Sequence, residues 1–259
     1  MKLGFIGMGN MATALARGFV ASGKVSGAQL AAFDPNSERL AAMEQELGLT
    51  ALASEAQLAR WADIVVMACK PYHVAQALDA MGEALCGKAL LSIALGWDHA
   101  AYRAIAPDDV RVQFVMPNTP AMVGAGMFLF EQTTTLEAGE LAFVRDLFAA
   151  IGEVEILPTE LMGIGGALSG CGPAFVDLFI EAFADAGVRY GMPRDKALRL
   201  VSQTVLGAAK LQKDTGLHPG VLKDMVCSPG GSTIRGVTAL EHRGLRGACI
   251  GAVEAIMEK

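Results

Sequence analysis

The sequence predicts an α/β protein: an N-terminal, doubly wound, mainly parallel sheet followed by an all-helical C-terminal domain. Three observations predict it. Short apolar runs alternate with helical stretches over the first 158 residues, the pattern of a parallel sheet wrapped on both faces. The first apolar run leads straight into Gly7-Met8-Gly9-Asn10-Met11-Ala12. After Pro158 the strand signals stop, and the later segments read as helices punctuated by Gly187, Gly191, Gly216 and Gly244.

Taken in order, residues 2–6 read as a buried strand and 10–22 as a helix. Strands at 29–33 and 49–53 flank a helix at 38–47. A continuous apolar strand at 63–68 runs into Cys69-Lys70-Pro71. A helix at 73–85 and a strand at 89–93 follow. Strands at 110–116 and 127–130, a helix at 137–150 and a strand at 153–157 complete the first domain, set at 1–158. Helices at 175–188, 194–212, 219–226, 232–241 and 245–257 make the second, set at 159–259. Ala208, Ala209, Leu211, Ile250, Val253 and Ile256 spread around their helices. Helices apolar on several sides need cover on several sides, so a homodimer built through the C-terminal half is expected.

Composition narrows the function. Of 259 residues, 53% are hydrophobic and 19% charged, so most of the chain packs into a core. A net charge of −6 with no basic run speaks against nucleic acid or an anionic membrane as partner. The five cysteines are Cys69, Cys86, Cys171, Cys227 and Cys249. They are odd in number and lack C-x-x-C spacing, which supports neither a disulfide framework nor a zinc site. His73, His99, His218 and His242 form no ligand-spaced pair, so no metal is expected. The N-terminal apolar run is broken at once by Gly7 and Gly9, and 89–97 is too short to cross a bilayer. A soluble cytoplasmic protein is the expectation.

Residues 7–12 satisfy G-x-G-x-x-G/A between a strand and a helix, the Rossmann context for a dinucleotide. Ile6 leads into the loop and Gly7 makes the tight turn. Gly9 admits the pyrophosphate to the backbone, and Ala12 lets helix and strand pack closely. Asn10 and Met11 open the helix, whose free N–H groups favour an anion. Asp34 closes the second strand, where an acid bonds the adenosine ribose of NADH and repels the 2′-phosphate of NADPH. Asn36, Ser37 and Arg39 are placed to turn toward such a phosphate, and capping the next helix is a third role for Asp34. NADPH or NADH therefore stays open, with Asp34 favouring NADH. Ala68, Lys70 and Pro71 follow the fourth strand, and Ala94 and Gly96 the fifth. Pro117 and Asn118, in Met116-Pro117-Asn118-Thr119-Pro120, form a rigid turn after the sixth. Ligands sit at such carboxyl ends in open α/β sheets.

The stretch from Leu222 to Glu241 reads as a helix, the turn Ser228-Pro229-Gly230-Gly231, and a second helix opening at Ser232-Thr233. Its glycines let the backbone approach a ligand, and the opening N–H groups suit a carboxylate. A capped helical turn with no ligand is the simpler alternative.

With these motifs in place, the chain resembles the pyrroline-5-carboxylate reductase family over nearly its whole length. The resemblance lies in residues 7–12, Lys70-Pro71, 116–120, Ser169-Gly170-Cys171-Gly172-Pro173-Ala174, 191–194, His218-Pro219-Gly220 and the block through Leu240-Glu241. It implies hydride transfer from NADPH or NADH to the C=N bond of 1-pyrroline-5-carboxylate, giving L-proline. It also implies a Rossmann domain joined to a helical dimerisation domain, with dimers stacked into rings in some members. By analogy Thr233 bonds the imine nitrogen, Ser228 assists, the backbone N–H groups of Gly231, Ser232 and Thr233 hold the substrate carboxylate, and Gly230 belongs to the same substrate-binding group. Cys171 and Phe175 stand where the family commonly has Ser and Tyr. The alternatives are a reductase of another cyclic imine and a non-catalytic dinucleotide sensor. A β-hydroxyacid dehydrogenase is disfavoured, because no lysine lies between Lys88 and Lys196.

Overall fold

The computed structural model describes residues 1–258; residue 259, the end of the expected second domain, lies outside them. Strands β1 (Leu3–Ile6), β2 (Leu30–Phe33), β3 (Thr50–Ala51), β4 (Ile64–Met67), β5 (Ala89–Ser92), β6 (Arg111–Met116), β7 (Gly126–Thr134) and β8 (Gly152–Leu157) form one sheet. Its order is β3-β2-β1-β4-β5-β6-β7-β8. Pairing is parallel throughout except between β6 and β7. Consecutive strands run outward from β1 in one direction and from β4 in the other. Their carboxyl ends therefore flank the crevice where a doubly wound sheet takes its ligand.

Around this sheet lie α1 (Asn10–Ala21), α2 (Ser37–Leu47), α3 (Glu55–Trp61), α4 (Val74–Met81), α5 (His99–Arg103), α6 (Ala138–Ala149) and α7 (Thr159–Ser169). All four residues of β1, β4 and β5 are buried, as continuous apolar strands covered on both faces should be. Their side chains divide by alternation. Leu3, Phe5, Ile64 and Val66 join one core with Leu15 and Phe19 of α1, while Ile6, Val65 and Met67 join the other with Leu58 and Tyr102. In the first core, Phe148 meets Phe19, Phe128 and Phe130 edge to face, with centroids 5.2, 4.8 and 5.5 Å away.

Three helices go beyond the sequence expectation. α3 and α5 are short and capped by side chains: Gln57 N–H donates to Ser54 Oγ and Ala101 N–H to Asp98 Oδ1. α7 carries Gly163, Gly165 and Gly166, residues that read as helix breakers. Here they make room. A β-carbon on Gly165 would lie 2.7 Å from Leu129 and 2.8 Å from Leu157, and one on Gly166 would strike Met116. α7 thus packs on β7 and β8. The first compact unit runs to Cys171, past the division expected at 158. The expected strand at 127–130 extends through all of β7, and the expected helix at 73–85 ends as α4 before Gly82.

The second unit, which begins at Gly172, is helical over its described residues: α8 (Gly172–Arg189), α9 (Arg194–Thr215), α10 (Pro219–Val226), α11 (Ser232–His242) and α12 (Leu245–Met257). α8 packs along α9, and α11 meets α12. Among its described residues only Ala184 and Ala197 are buried apolar side chains, whereas Leu178 is 65% and Ile250 60% exposed.

Candidate functional site

The glycine loop between β1 and α1 takes its shape from Gly7, whose φ of +92° suits a residue without a β-carbon. A β-carbon there would also lie 3.0 Å from the Cys69 backbone. The loop is fastened to β2 by two successive amides. Gly7 N–H donates to Phe33 C=O at 2.8 Å, and Met8 N–H to Asp34 Oδ2 at 2.7 Å. Gly9 faces open space. It caps α1 without a side chain, so the first-turn N–H groups are available to an anion.

This loop forms one wall of a cavity of about 600 Å³ at the carboxyl ends of β1, β2, β4 and β5. Gly7, Gly9, Asn10, Met11, Asp34, Ala68, Lys70, Pro71 and Ala94, all expected from the sequence, line it. The structure adds Ala14, Pro35, Cys69, His73, Ile93, Leu95, Thr119 and Met122, and Arg39, which the sequence had placed beside Asp34. Most of these flank the strand-end motifs; proximity to a strand's carboxyl end was the available signal. Burial pushes the Cys69 thiol up to about 11, so its sulfur serves as apolar wall.

The remaining expected residues sit around the cavity rather than on it. Ile6 and Ala12 are buried in packing between strand and helix. Asn36 caps α2, accepting from Arg39 N–H at 2.9 Å. Gly96 and Pro117 lie in the adjoining loops. Asn118 turns its amide inward, donating to Ser169 C=O at 3.0 Å and accepting from Met127 N–H at 2.8 Å. The sequence did not single out Trp97. Its Nε1–H donates to Pro71 C=O at 2.9 Å, joining the loops that follow β4 and β5. Trp97 in turn packs on Tyr102, a buried phenol that donates to Ser92 Oγ at 3.0 Å.

An extended dinucleotide fits these features: a glycine-lined anion site, an open β-carbon position at Gly9, apolar walls, and Lys70 and Arg39 on the rim. Among the described residues no three His, Cys, Asp or Glu side chains gather as a metal site.

The second unit holds the other expected group. Ser228 to Gly231 form a tight turn with Pro229 second and Gly230 third, Gly230 having φ +68°, the demands of a type II turn. Gly231 N–H donates to Ser228 C=O at 3.0 Å. The turn thus engages the Gly231 amide, which the sequence reading offers to a carboxylate. The amides left to an anion are those of Ser232 and Thr233 at the start of α11, where no side chain caps the helix. Ser232 and Thr233 are exposed. Thr233 also borders a cavity of about 450 Å³ between α8 and α11, lined by Phe183, Val237, Leu240 and Arg243.

Residues 159–259 match the family model described as pyrroline-5-carboxylate reductase dimerisation, and residues 2–96 match one described as NADP oxidoreductase, coenzyme F420-dependent. The chain is 42% identical to a pyrroline-5-carboxylate reductase of Treponema pallidum, with 99% of each chain covered. It is 40% identical to that of Escherichia coli, covering 100% of this chain and 96% of that one. The Plasmodium falciparum pyrroline carboxylate reductase, crystallised with NADP bound, superposes with a TM-score of 0.90 at 33% identity, covering 100% and 96%.

Proposed function

This chain belongs to the pyrroline-5-carboxylate reductase family, and from that premise we propose how its residues carry out the family's reaction. It is an NADP-dependent oxidoreductase that reduces 1-pyrroline-5-carboxylate to L-proline in proline biosynthesis. The reaction adds a hydride to the imine carbon and leaves a proton on nitrogen. When bound, the reduced nicotinamide supplies the hydride.

The glycine loop and the N-terminus of α1 hold the pyrophosphate, and Lys70 and Pro71 border the adenosine side. Arg39, with the start of α2, receives a 2′-phosphate. The amides of Ser232 and Thr233 bind the substrate carboxylate, with the Ser228–Gly231 turn setting their direction. The Thr233 hydroxyl bonds the imine nitrogen and orients the C=N bond. Ser228, the first residue of that turn, assists. No strong acid is needed if the imine arrives protonated, which suits a turn without His, Lys or Glu.

The observation that carries this reading is the glycine-loop cavity at the β1–β4 crevice, in a chain matched from end to end by named reductases. The test is oxidation of NADPH and NADH, followed at the nicotinamide absorbance, on adding pyrroline-5-carboxylate, with proline identified as product. Cofactor binding without proline formation with either cofactor would redirect the search to other cyclic imines.

The second unit serves self-association, as a homodimer. The support is its thin core and the apolar side chains left at its surface. A reducing, cytoplasmic location suits five free cysteines.

A further inference from the structure

We infer that Asp34 is a positioning residue for the phosphate-binding loop and not a ligand of the adenosine ribose. This rests on the dinucleotide reading of the cavity and deepens it. Asp34 stands directly after β2, where an acidic residue presents its carboxylate outward to the ribose hydroxyls. Asp34 borders the cavity, but both of its oxygens are taken by the protein. Oδ2 accepts from Met8 N–H at 2.7 Å, and Oδ1 accepts from Asn36 N–H at 2.8 Å. The Arg39 guanidinium lies 3.4 Å from Oδ2. The residue as a whole is only 8% exposed.

A carboxylate has about four acceptor directions, and the protein occupies three of them. Both amide bonds have the length of charge-assisted pairs. The Met8 amide cannot turn to water instead, because Met8 is fully buried. Asp34 therefore does for Met8 what the Phe33 carbonyl does for Gly7. Two adjacent loop amides are bonded to Phe33, the last residue of β2, and to Asp34, the residue after it. The loop is held flat against the strand, and the amides beyond Gly9 are the ones left for phosphate. The same carboxylate reaches forward to Asn36, so one side chain sets both the glycine loop and the entry to α2. The exposed group beside the 2′ position is then Arg39, a cation.

The test uses the wild-type protein without imine substrate, titrated by nicotinamide fluorescence. The probes are NADH and its analogue carrying 2′,3′-dideoxyadenosine. An acid bonded to the ribose hydroxyls would make the analogue bind at least about tenfold more weakly. With Asp34 committed to the loop, the two dissociation constants agree within about twofold. Asp34→Asn, which keeps only one acceptor oxygen, should weaken both probes by one common factor of about tenfold. It should raise the cofactor KM while leaving kcat at saturating cofactor within about twofold. A tenfold penalty for the analogue in the wild type, abolished in Asp34→Asn, overturns the inference and leaves the dinucleotide reading intact. If neither NADH nor NADPH binds the wild type, the dinucleotide reading falls, and this inference with it. Should Asp34→Asn fail to fold, the wild-type pair of titrations decides alone.

Discussion

The side-chain amide of Asn118 donates to the backbone carbonyl of Ser169 at 3.0 Å, joining the loop after β6 to the last residue of α7. Its oxygen accepts from Met127 N–H at 2.8 Å, so the same side chain also holds the start of β7. Asn118 is 8% exposed, and removing it would orphan two backbone groups. Each such loss costs about 1–3 kcal/mol. Asn118→Ala should lower the melting temperature by roughly 4–10 °C and raise the KM for cofactor, because Thr119 and Met122 in the same loop line the cavity. Calorimetry and steady-state kinetics check both; an unchanged melting temperature would mean that water replaces the amide.

Arg39 is the cation nearest Asp34, and its side chain is 46% exposed. Arg39→Gln should raise the KM for NADPH by about tenfold, the loss of one charge-assisted phosphate contact. The KM for NADH should stay within about twofold. Equal effects on the two cofactors would remove Arg39 from the 2′-phosphate.

Thr233 opens α11 next to a turn whose own amide is already used. Thr233→Ala should reduce kcat by about ten- to a hundredfold and leave the NADPH dissociation constant within about twofold. A mutant with normal kcat and a raised KM for the imine would assign Thr233 to binding alone.

Arg111 grips Glu140 with two bonds, Nε to Oε2 at 2.9 Å and Nη2 to Oε1 at 2.6 Å. The guanidinium holds the Glu140 carboxyl below the ordinary carboxylate range. A depressed carboxyl contributes stability that is present above its unfolded value, about 4.3, and is lost as pH falls through its folded value. Glu140→Gln should therefore lower the melting temperature most near pH 7. The difference from wild type should shrink as pH drops below about 4. A penalty independent of pH would point to packing rather than charge.

Leu178 on α8 is 65% exposed, in a unit with almost no buried apolar side chains of its own. Leu178→Glu should shift the protein from dimer or larger to monomer by light scattering at micromolar concentration. A wild type that is itself monomeric would show that the apolar faces of the second unit serve something else.

The sequence by itself determined the alternation of strands and helices in the cofactor half and half of the residues that line its cavity. The reason is local. A strand, a tight glycine turn and a helix are encoded within a dozen neighbouring residues, and parallel strands buried on both faces are uniformly apolar. Gly7, Gly9, Asp34, Lys70 and Pro71 could therefore be read directly. The Ser228–Gly231 turn was equally legible, since proline and glycine constrain their own dihedrals. Tertiary structure alone decided where those side chains point. It turned Asp34 toward Met8 and Asn118 toward Ser169, because each partner lies on a separate strand, helix or loop that linear spacing does not orient. It also made α7 a helix, since the glycines that weaken it locally are the ones that let it lie against Leu129 and Leu157. Packing across the sheet outweighed propensity there, and that balance is written in distances between segments rather than in any one of them.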